Sequence, residues 1–209
     1  MRLYTYWRST ASYRVRIALA LKGLDYSCSF VHLVRAEHKS EAFRRLNPQM
    51  RVPALEVDDN NLLTQSLAII EYLEEIYPFP PLLPADPEGR ARIRAVASLI
   101  SCDIHPLHNS GPLTYLRNVW GRSEDEVSAW IAHWNGSGLT AVEALIGNEG
   151  FSFGDEPSLA DVFLVPQIYA ARRFGVPLEA YPRILLVEQA ANAHPAFRAA
   201  HPSAQPDAE

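Results

Sequence analysis

Where a run suited to a strand (Leu3–Trp7) gives way to one suited to a helix (from Val15), the chain carries Ser9, Thr10 and Ser12. A serine or threonine at a helix start satisfies backbone N–H groups that have no partner within the helix, so these residues read first as a cap. The same position carries partial positive charge, and hydroxyls there can donate to a sulfur or an oxyanion. On that second reading the stretch is a thiolate or anion site. The N–H groups near Ala11 and Ser12 add to its field, and Arg8, Arg14 and Arg16 add charge, at least one of them facing solvent. On spacing alone the two readings balance.

Other residue sets suggest chemistry less directly. Ser66 stands at the N-cap position of an apolar helical run, Leu67–Leu73. Val52-Pro53 lies directly before an apolar strand, Ala54–Val57, an unusual place for a residue that lacks a ladder donor. A cis bond there would turn the Val52 backbone outward and leave its N–H and C=O to pair with a peptide ligand. His105 and His108, with Asp103, raise the question of a metal, but two histidines and one acid make a poor ligand set, so no metal is expected. Arg172-Arg173 closes a helix and reads at minimum as charge complementing its C-terminus. There is no GxSxG elbow, P-loop or GxGxxG.

The elements that would carry these residues follow in order. Leu3–Trp7 is a strand, and a helix follows it to a stop at Gly23. Asp25–Leu33 is a second strand, and Lys39–Leu46 a short helix ended by Asn47-Pro48. Ala54–Val57 and Leu62-Leu63 form a hairpin around the turn Asp58-Asp59-Asn60-Asn61, and a helix follows from Ser66. The proline-rich stretch around residues 77–87 reads as a linker, giving domains 1–80 and 88–209 with 81–87 between them. Beyond it the pattern is helical: 88–116, interrupted or bent near Pro106; 123–145, opened by a Ser123/Glu126 capping box; and a helix after Ser158/Asp161 that runs past Pro166 to Gly175. For the 123–145 helix, Trp130, Trp134, Leu139, Val142 and Leu145 supply the buried face. Two short helices, Tyr181–Asn192 and Pro195–Ala200, lead to a loosely ordered polar tail.

At 209 residues, 48% hydrophobic and 21% charged, the composition is that of a soluble globular protein with ample core. A formal net charge of −5 gives no reason to expect nucleic acid. Cys28 and Cys102 lie far apart with no CxxC, which fits a reducing compartment. No run reaches the ~18–20 apolar residues needed to cross a bilayer, and no signal pattern opens the chain. A cytoplasmic location without membrane or nucleic-acid partners is expected.

The stretch Arg8-Ser9-Thr10-Ala11-Ser12-Tyr13-Arg14-Val15-Arg16-Ile17-Ala18-Leu19 resembles the active-site signature of zeta-class glutathione S-transferases, Arg-Ser-Ser-Cys-Ser-x-Arg-Val-Arg-Ile-Ala-Leu. Thr10 replaces the second serine and Ala11 the cysteine, so properties that depend on that cysteine's own thiol do not carry over. The resemblance extends over nearly the whole chain, and Phe151–Leu164 is similar to the family's folding signature, a structural capping motif. It implies a thioredoxin-like α/β domain followed by an all-α domain, and a homodimer. It also implies a glutathione site: Ser9 first and Thr10 second as thiolate partners, with Ala11 and Ser12 beside them. Val52 would take the cysteinyl backbone, Gln65 and Ser66 the γ-glutamyl carboxylate, and His38 the glycyl end, with Gln49 assisting. His105 and Asn109-Ser110-Gly111 match positions that contact glutathione, in part across the dimer interface, while Arg8 and Arg173 match positions lining a dicarboxylate pocket.

The implied reaction is isomerisation of a small cis-dicarboxylic acid by thiolate addition, bond rotation and thiolate expulsion. Maleylacetoacetate, from tyrosine and phenylalanine breakdown, is the expected substrate. Maleylpyruvate, from gentisate breakdown, is the sibling alternative. Some maleylpyruvate isomerases are arginine-rich after the asparagine, whereas this chain has Ser110-Gly111-Pro112, which favours the former. Conjugation of glutathione to halogenated acids, or a binding role without turnover, are further alternatives; a scaffold would need none of Arg8, Ser9, Thr10, Gln65, Ser66 and Arg173.

Overall fold

A computed structural model describes residues 1–58 and 61–209. The chain forms two compact units, Met1–Pro81 with Asn192–Glu209, and Leu82–Ala191.

In the first unit β1 (Arg2–Thr5) leads through a short turn into α1 (Thr10–Leu21). Next come β2 (Ser27–Phe30), a 3₁₀ turn at Glu37–Lys39 and α2 (Glu41–Leu46). β3 (Ala54–Asp58), β4 (Asn61–Thr64) and α3 (Ser66–Ile76) complete the α/β layer. The sheet order is β2-β1-β3-β4; β1 is parallel to β2 and antiparallel to β3. This order, with its helices, is the thioredoxin-like arrangement. β2 is shorter than Asp25–Leu33 because its register, Arg2↔Ser27 to Thr5↔Phe30, ends where β1 turns away into α1. The two central residues of the expected Asp58–Asn61 turn lie outside the described residues. Val52-Pro53 is cis, as is Phe79-Pro80.

The core between sheet and helices holds Leu3, Val15, Ile17, Leu19, Leu55, Ile69 and Leu73. It also holds Arg14 and Arg16, only 2% and 0% exposed, and Arg8 is itself half-buried, so none of the three arginines projects freely into solvent as expected.

In the second unit α4 (Pro87–Ser98) starts on the cap Asp86, whose carboxylate accepts the Gly89 N–H. Pro106 offers no N–H to the turn before it, and of the two outcomes expected for 88–116 near Pro106 the helix takes the interruption, spread over ten residues: a wide π turn at Leu99–Ile104, then a 3₁₀ turn at His105–His108. α5 (Ser110–Asn118) restarts on the cap Asn109. α6 (Glu124–Leu145) has the expected capping box, the Ser123 N–H donating to Glu126 and the Glu126 N–H to Ser123 Oγ. Its buried stripe is Val127, Ile131, Asn135, Leu139 and Val142; Trp130 and Trp134 flank it half-buried, and Leu145 is exposed rather than part of it.

α7 (Leu159–Arg173) is buried over most of its length. Asp161, fully buried, accepts the Ser158 N–H and O–H on one oxygen and the Ser152 N–H on the other, joining the helix start to the loop before it. Burial pushes its carboxyl pKa up, and the bonds from Ser152 and Ser158 pull it back in part. Gly175, at φ +69°, stops the helix.

After α8 (Pro182–Ala193), α9 (Pro195–Ala200) packs on α1, so the chain's last residues belong to the first unit. The tail is not the loose segment its composition suggests. The Trp7 N–H donates to Asp207 at 2.9 Å, and Glu209 pairs with His32 at 2.9 Å and Arg35 at 3.2 Å. No helix among the described residues is long and apolar enough to cross a membrane.

Candidate active site

Ser9 is the N-cap of α1, and its Oγ accepts the Ser12 N–H at 3.2 Å. Since that bond uses an oxygen lone pair, the hydroxyl keeps its own proton for donation. Thr10, Ala11 and Ser12 form the first turn behind it, so the four residues named from sequence lie together at one helix start. Arg16 fixes the turn before them: its guanidinium donates to Tyr6 O, Trp7 O and Thr5 Oγ1 at 2.9–3.4 Å, and to Ala200 O of α9. Burial lowers its pKa to about 10, which still leaves it a cation at neutral pH. The Arg8 guanidinium lies over the Trp7 ring, 5.4 Å from its centroid.

Gln65 and Ser66 open α3, one position earlier than expected: Gln65 is the cap residue and Ser66 the first residue in the helix. Gln65 has φ +68°, a backbone conformation that non-glycine residues adopt mainly where surroundings enforce it. Its side chain donates to Gln49 at 3.0 Å, joining two predicted residues. Ser66 Oγ, not serving as a cap, accepts from the buried Arg14 at 3.3 Å. Arg14 thus ties α1 to α3 beneath both helix starts. The sequence flagged it only as a charge, because nothing local distinguishes a buried arginine from an exposed one.

His38 sits in the 3₁₀ turn, half-buried, with its Nδ1 enclosed and without a partner. Burial, then Lys39, lowers its pKa, keeping the ring neutral near pH 7.

In the second unit His105 lies in the 3₁₀ turn, and Asn109, the cap of α5, accepts the Ser110 N–H on its side chain at 2.8 Å. Ser110 and Gly111 are exposed in the first turn of α5. Arg173 ends α7, its guanidinium 4.6 Å from the Phe174 ring centroid. Among the described residues no group of three or more His, Cys, Asp or Glu side chains is arranged to hold a metal.

In the first unit, two helix starts and an enclosed ring nitrogen offer polar groups suited to a small anionic, hydrogen-bonding molecule. The enclosed, unpartnered Nδ1 of His38, the constrained Gln65 backbone before a helix start, and the Ser9 hydroxyl at another are each suited to one part of such a molecule.

Comparison with known proteins shows the family. Residues 1–75 match the glutathione S-transferase N-terminal domain and residues 136–202 the C-terminal domain of that family. The chain belongs to the glutathione S-transferase family. Within it, the chain falls with the zeta class. It is 64% identical to a Pseudomonas aeruginosa protein named maleylacetoacetate isomerase, over 99% of this chain and 98% of that one. A holo structure of a bacterial zeta-class maleyl pyruvate isomerase superposes with TM-score 0.96 at 50% identity, covering both chains completely. A maleylacetoacetate isomerase from Anaeromyxobacter dehalogenans with bound glutathione superposes with TM-score 0.91 at 45% identity, over 100% of this chain and 97% of that one.

Proposed function

We propose that the protein is a glutathione-dependent cis–trans isomerase that converts maleylacetoacetate to fumarylacetoacetate in tyrosine and phenylalanine breakdown, as a cytoplasmic homodimer. The observation that carries this reading is Ser9, which caps α1 with its oxygen while keeping a proton to donate. The 64% identity to a protein named maleylacetoacetate isomerase supports the choice of acid.

Bound glutathione supplies a thiolate that adds reversibly to the activated double bond and so allows rotation about it. The chain's own groups do the rest. Ser9, with Thr10 second, donates to the sulfur, and the N–H groups around Ala11 and Ser12 favour its charged form. Val52 offers its backbone to the cysteinyl residue, Gln65 and Ser66 hold the γ-glutamyl carboxylate, and His38 with Gln49 takes the glycyl end. His105, Asn109, Ser110 and Gly111 complete the cofactor's surroundings. Arg8 and Arg173 hold the acid's carboxylates through paired N–H donors and oppose the charge that develops during rotation.

The sibling reading, maleylpyruvate as substrate, draws on the 50% identity to the maleyl pyruvate isomerase structure. A spectrophotometric assay with both cis acids, each with and without glutathione, separates the two. Glutathione-dependent loss of maleylacetoacetate faster than of maleylpyruvate is expected. The opposite ratio selects the sibling, and turnover of neither acid overturns the isomerase reading.

A further inference from the structure

Behind Arg173 lies a buried polar chain that the proposed reaction does not use. Asn135 on α6, Gln167 on α7 and His108 in the 3₁₀ turn are each at most 3% exposed. The Asn135 amide nitrogen donates to Ile131 O at 2.8 Å, which leaves its oxygen as an acceptor. The Gln167 nitrogen donates to that oxygen at 2.6 Å. His108 Nε2 lies 3.0 Å from the Gln167 nitrogen and 3.2 Å from its oxygen, so the ring is engaged by this amide in either tautomer. Buried groups joined this way specify one arrangement, since each loses heavily if a neighbour moves.

The His108 ring meets two others edge to face: His105 at 5.4 Å and 87°, and Phe174 at 5.4 Å and 64°. Phe174 in turn receives the Arg173 guanidinium on its ring, 4.6 Å from the centroid. Asn135, Gln167, His108, Phe174 and Arg173 thus form a continuous series from the interior of the helical unit to an exposed cation.

We propose that Phe174 is a positioning residue for Arg173, holding its guanidinium ready for a carboxylate of the acid substrate, with the Asn135–Gln167–His108 chain as the footing that fixes the Phe174 ring. An arginine side chain loses rotamer freedom when it grips a ligand, and a ring face that already orients the planar fork removes part of that loss before binding. Because His105 leans on the same His108 ring, the footing also links Arg173 to the segment assigned above to glutathione. The inference rests on the reading of Arg173 as a substrate-carboxylate residue.

The test is steady-state kinetics on the full-length protein, varying acid and glutathione separately, with thermal melts of each variant. Phe174→Leu removes the ring at a half-buried site; Phe174→Tyr retains it. For Phe174→Leu the expected result is a KM for the acid raised about two- to fivefold, an unchanged KM for glutathione and a melting temperature close to the parent's. Phe174→Tyr restores the parent's KM. Gln167→Met changes the acid KM in the same direction. Arg173→Met serves as the reference. If it raises the acid KM while Phe174→Leu does not, the positioning role is overturned and the reading of Arg173 stands. If Arg173→Met leaves the acid KM unchanged, both fall. Equal rises in both KM values for Phe174→Leu would mean general loosening and also overturn the proposal.

Discussion

Ser9 caps α1, and the thiolate role proposed for it is compatible with that cap, because capping uses its oxygen and donation to a thiolate would use its proton. The two contributions separate by magnitude. Replacing a capping serine with alanine costs about 1 kcal/mol of stability. Removing a hydrogen-bond donor to charge at a reacting centre costs roughly a hundredfold in rate. Ser9→Ala is therefore expected to fold and to melt only a few degrees lower, with kcat/KM down about a hundredfold and the thiol pKa of bound glutathione raised; Ser9→Thr retains most of both properties. Ultraviolet titration of the bound thiolate with melting curves checks this, and an unshifted thiol pKa would pass the role to Thr10. At this scale the sequence was informative wherever residue type and local spacing decide the role. It did not distinguish Arg8, half-buried over an indole, from Arg14 and Arg16, which lie in the core. Burial of a guanidinium depends on partners 52 and 184 residues away, Ser66 and Ala200, and no local window contains them.

Elements whose signals lie within a few residues match their expected places: the capping boxes at Ser123/Glu126 and Ser158/Asp161, and the Gly23 and Gly175 stops. β2 departs because a strand's length is set by its partner, and the interruption expected near Pro106 spreads over 99–108 because a proline's effect is shared among the turns before it. The bend is also shaped from outside, by Gly138 on α6. A Cβ added there would lie 2.3 Å from Ile104 Cγ1 and 2.4 Å from its Cδ1, and Ile104 has no exposed surface. Alanine in mid-helix gains about 0.8–1 kcal/mol over glycine, whereas overpacking a buried contact costs about 1–3 kcal/mol. The overlap takes in Cγ1, next to the branch point of Ile104, as well as the Cδ1 tip, so turning the tip alone does not relieve it and the overpacking term is the larger. Gly138→Ala is expected to lower stability by about 1–2 kcal/mol and to raise the KM for glutathione by shifting the π turn that leads to His105. Adding Ile104→Ala should relieve the overlap and restore the glutathione KM. Denaturant unfolding with kinetics on the single and double variants checks it, and a Gly138→Ala protein at least as stable as the parent would show that the turn yields freely.

At the scale of the whole chain, the unit that carries Ser9, Gln65 and Ser66 is closed by residues distant in sequence, because Asn192–Glu209 returns to Met1–Pro81. Composition marked this tail as polar and proline-containing, so it read as loose; its order comes from what it meets. Ala200 O accepts from Arg16, the His201 ring stands edge-on to Tyr13 at 5.9 Å, and Asp207 accepts the Trp7 N–H, so the tail grips the turn that leads into Ser9. Without residues 192–209 the Arg16 guanidinium would lose a partner and α1 the helix packed on it. Leaving a buried charge partly unpaired costs on the order of 3–5 kcal/mol, comparable to much of a domain's stability. Deleting 192–209 is thus expected to abolish glutathione binding by unfolding the first unit. Asp207→Ala is the graded form: it removes one charge-assisted bond, worth about 1.5–3 kcal/mol, and leaves α9 in place. In that variant, amide exchange at Trp7 is expected to speed up by about tenfold or more, with glutathione bound several-fold more weakly and exchange in α7 unchanged. Amide hydrogen exchange read residue by residue, beside calorimetric titration with glutathione, checks it. A Trp7 amide as protected as in the parent would mean that Arg16 alone holds the turn, and that the last residues only cover it.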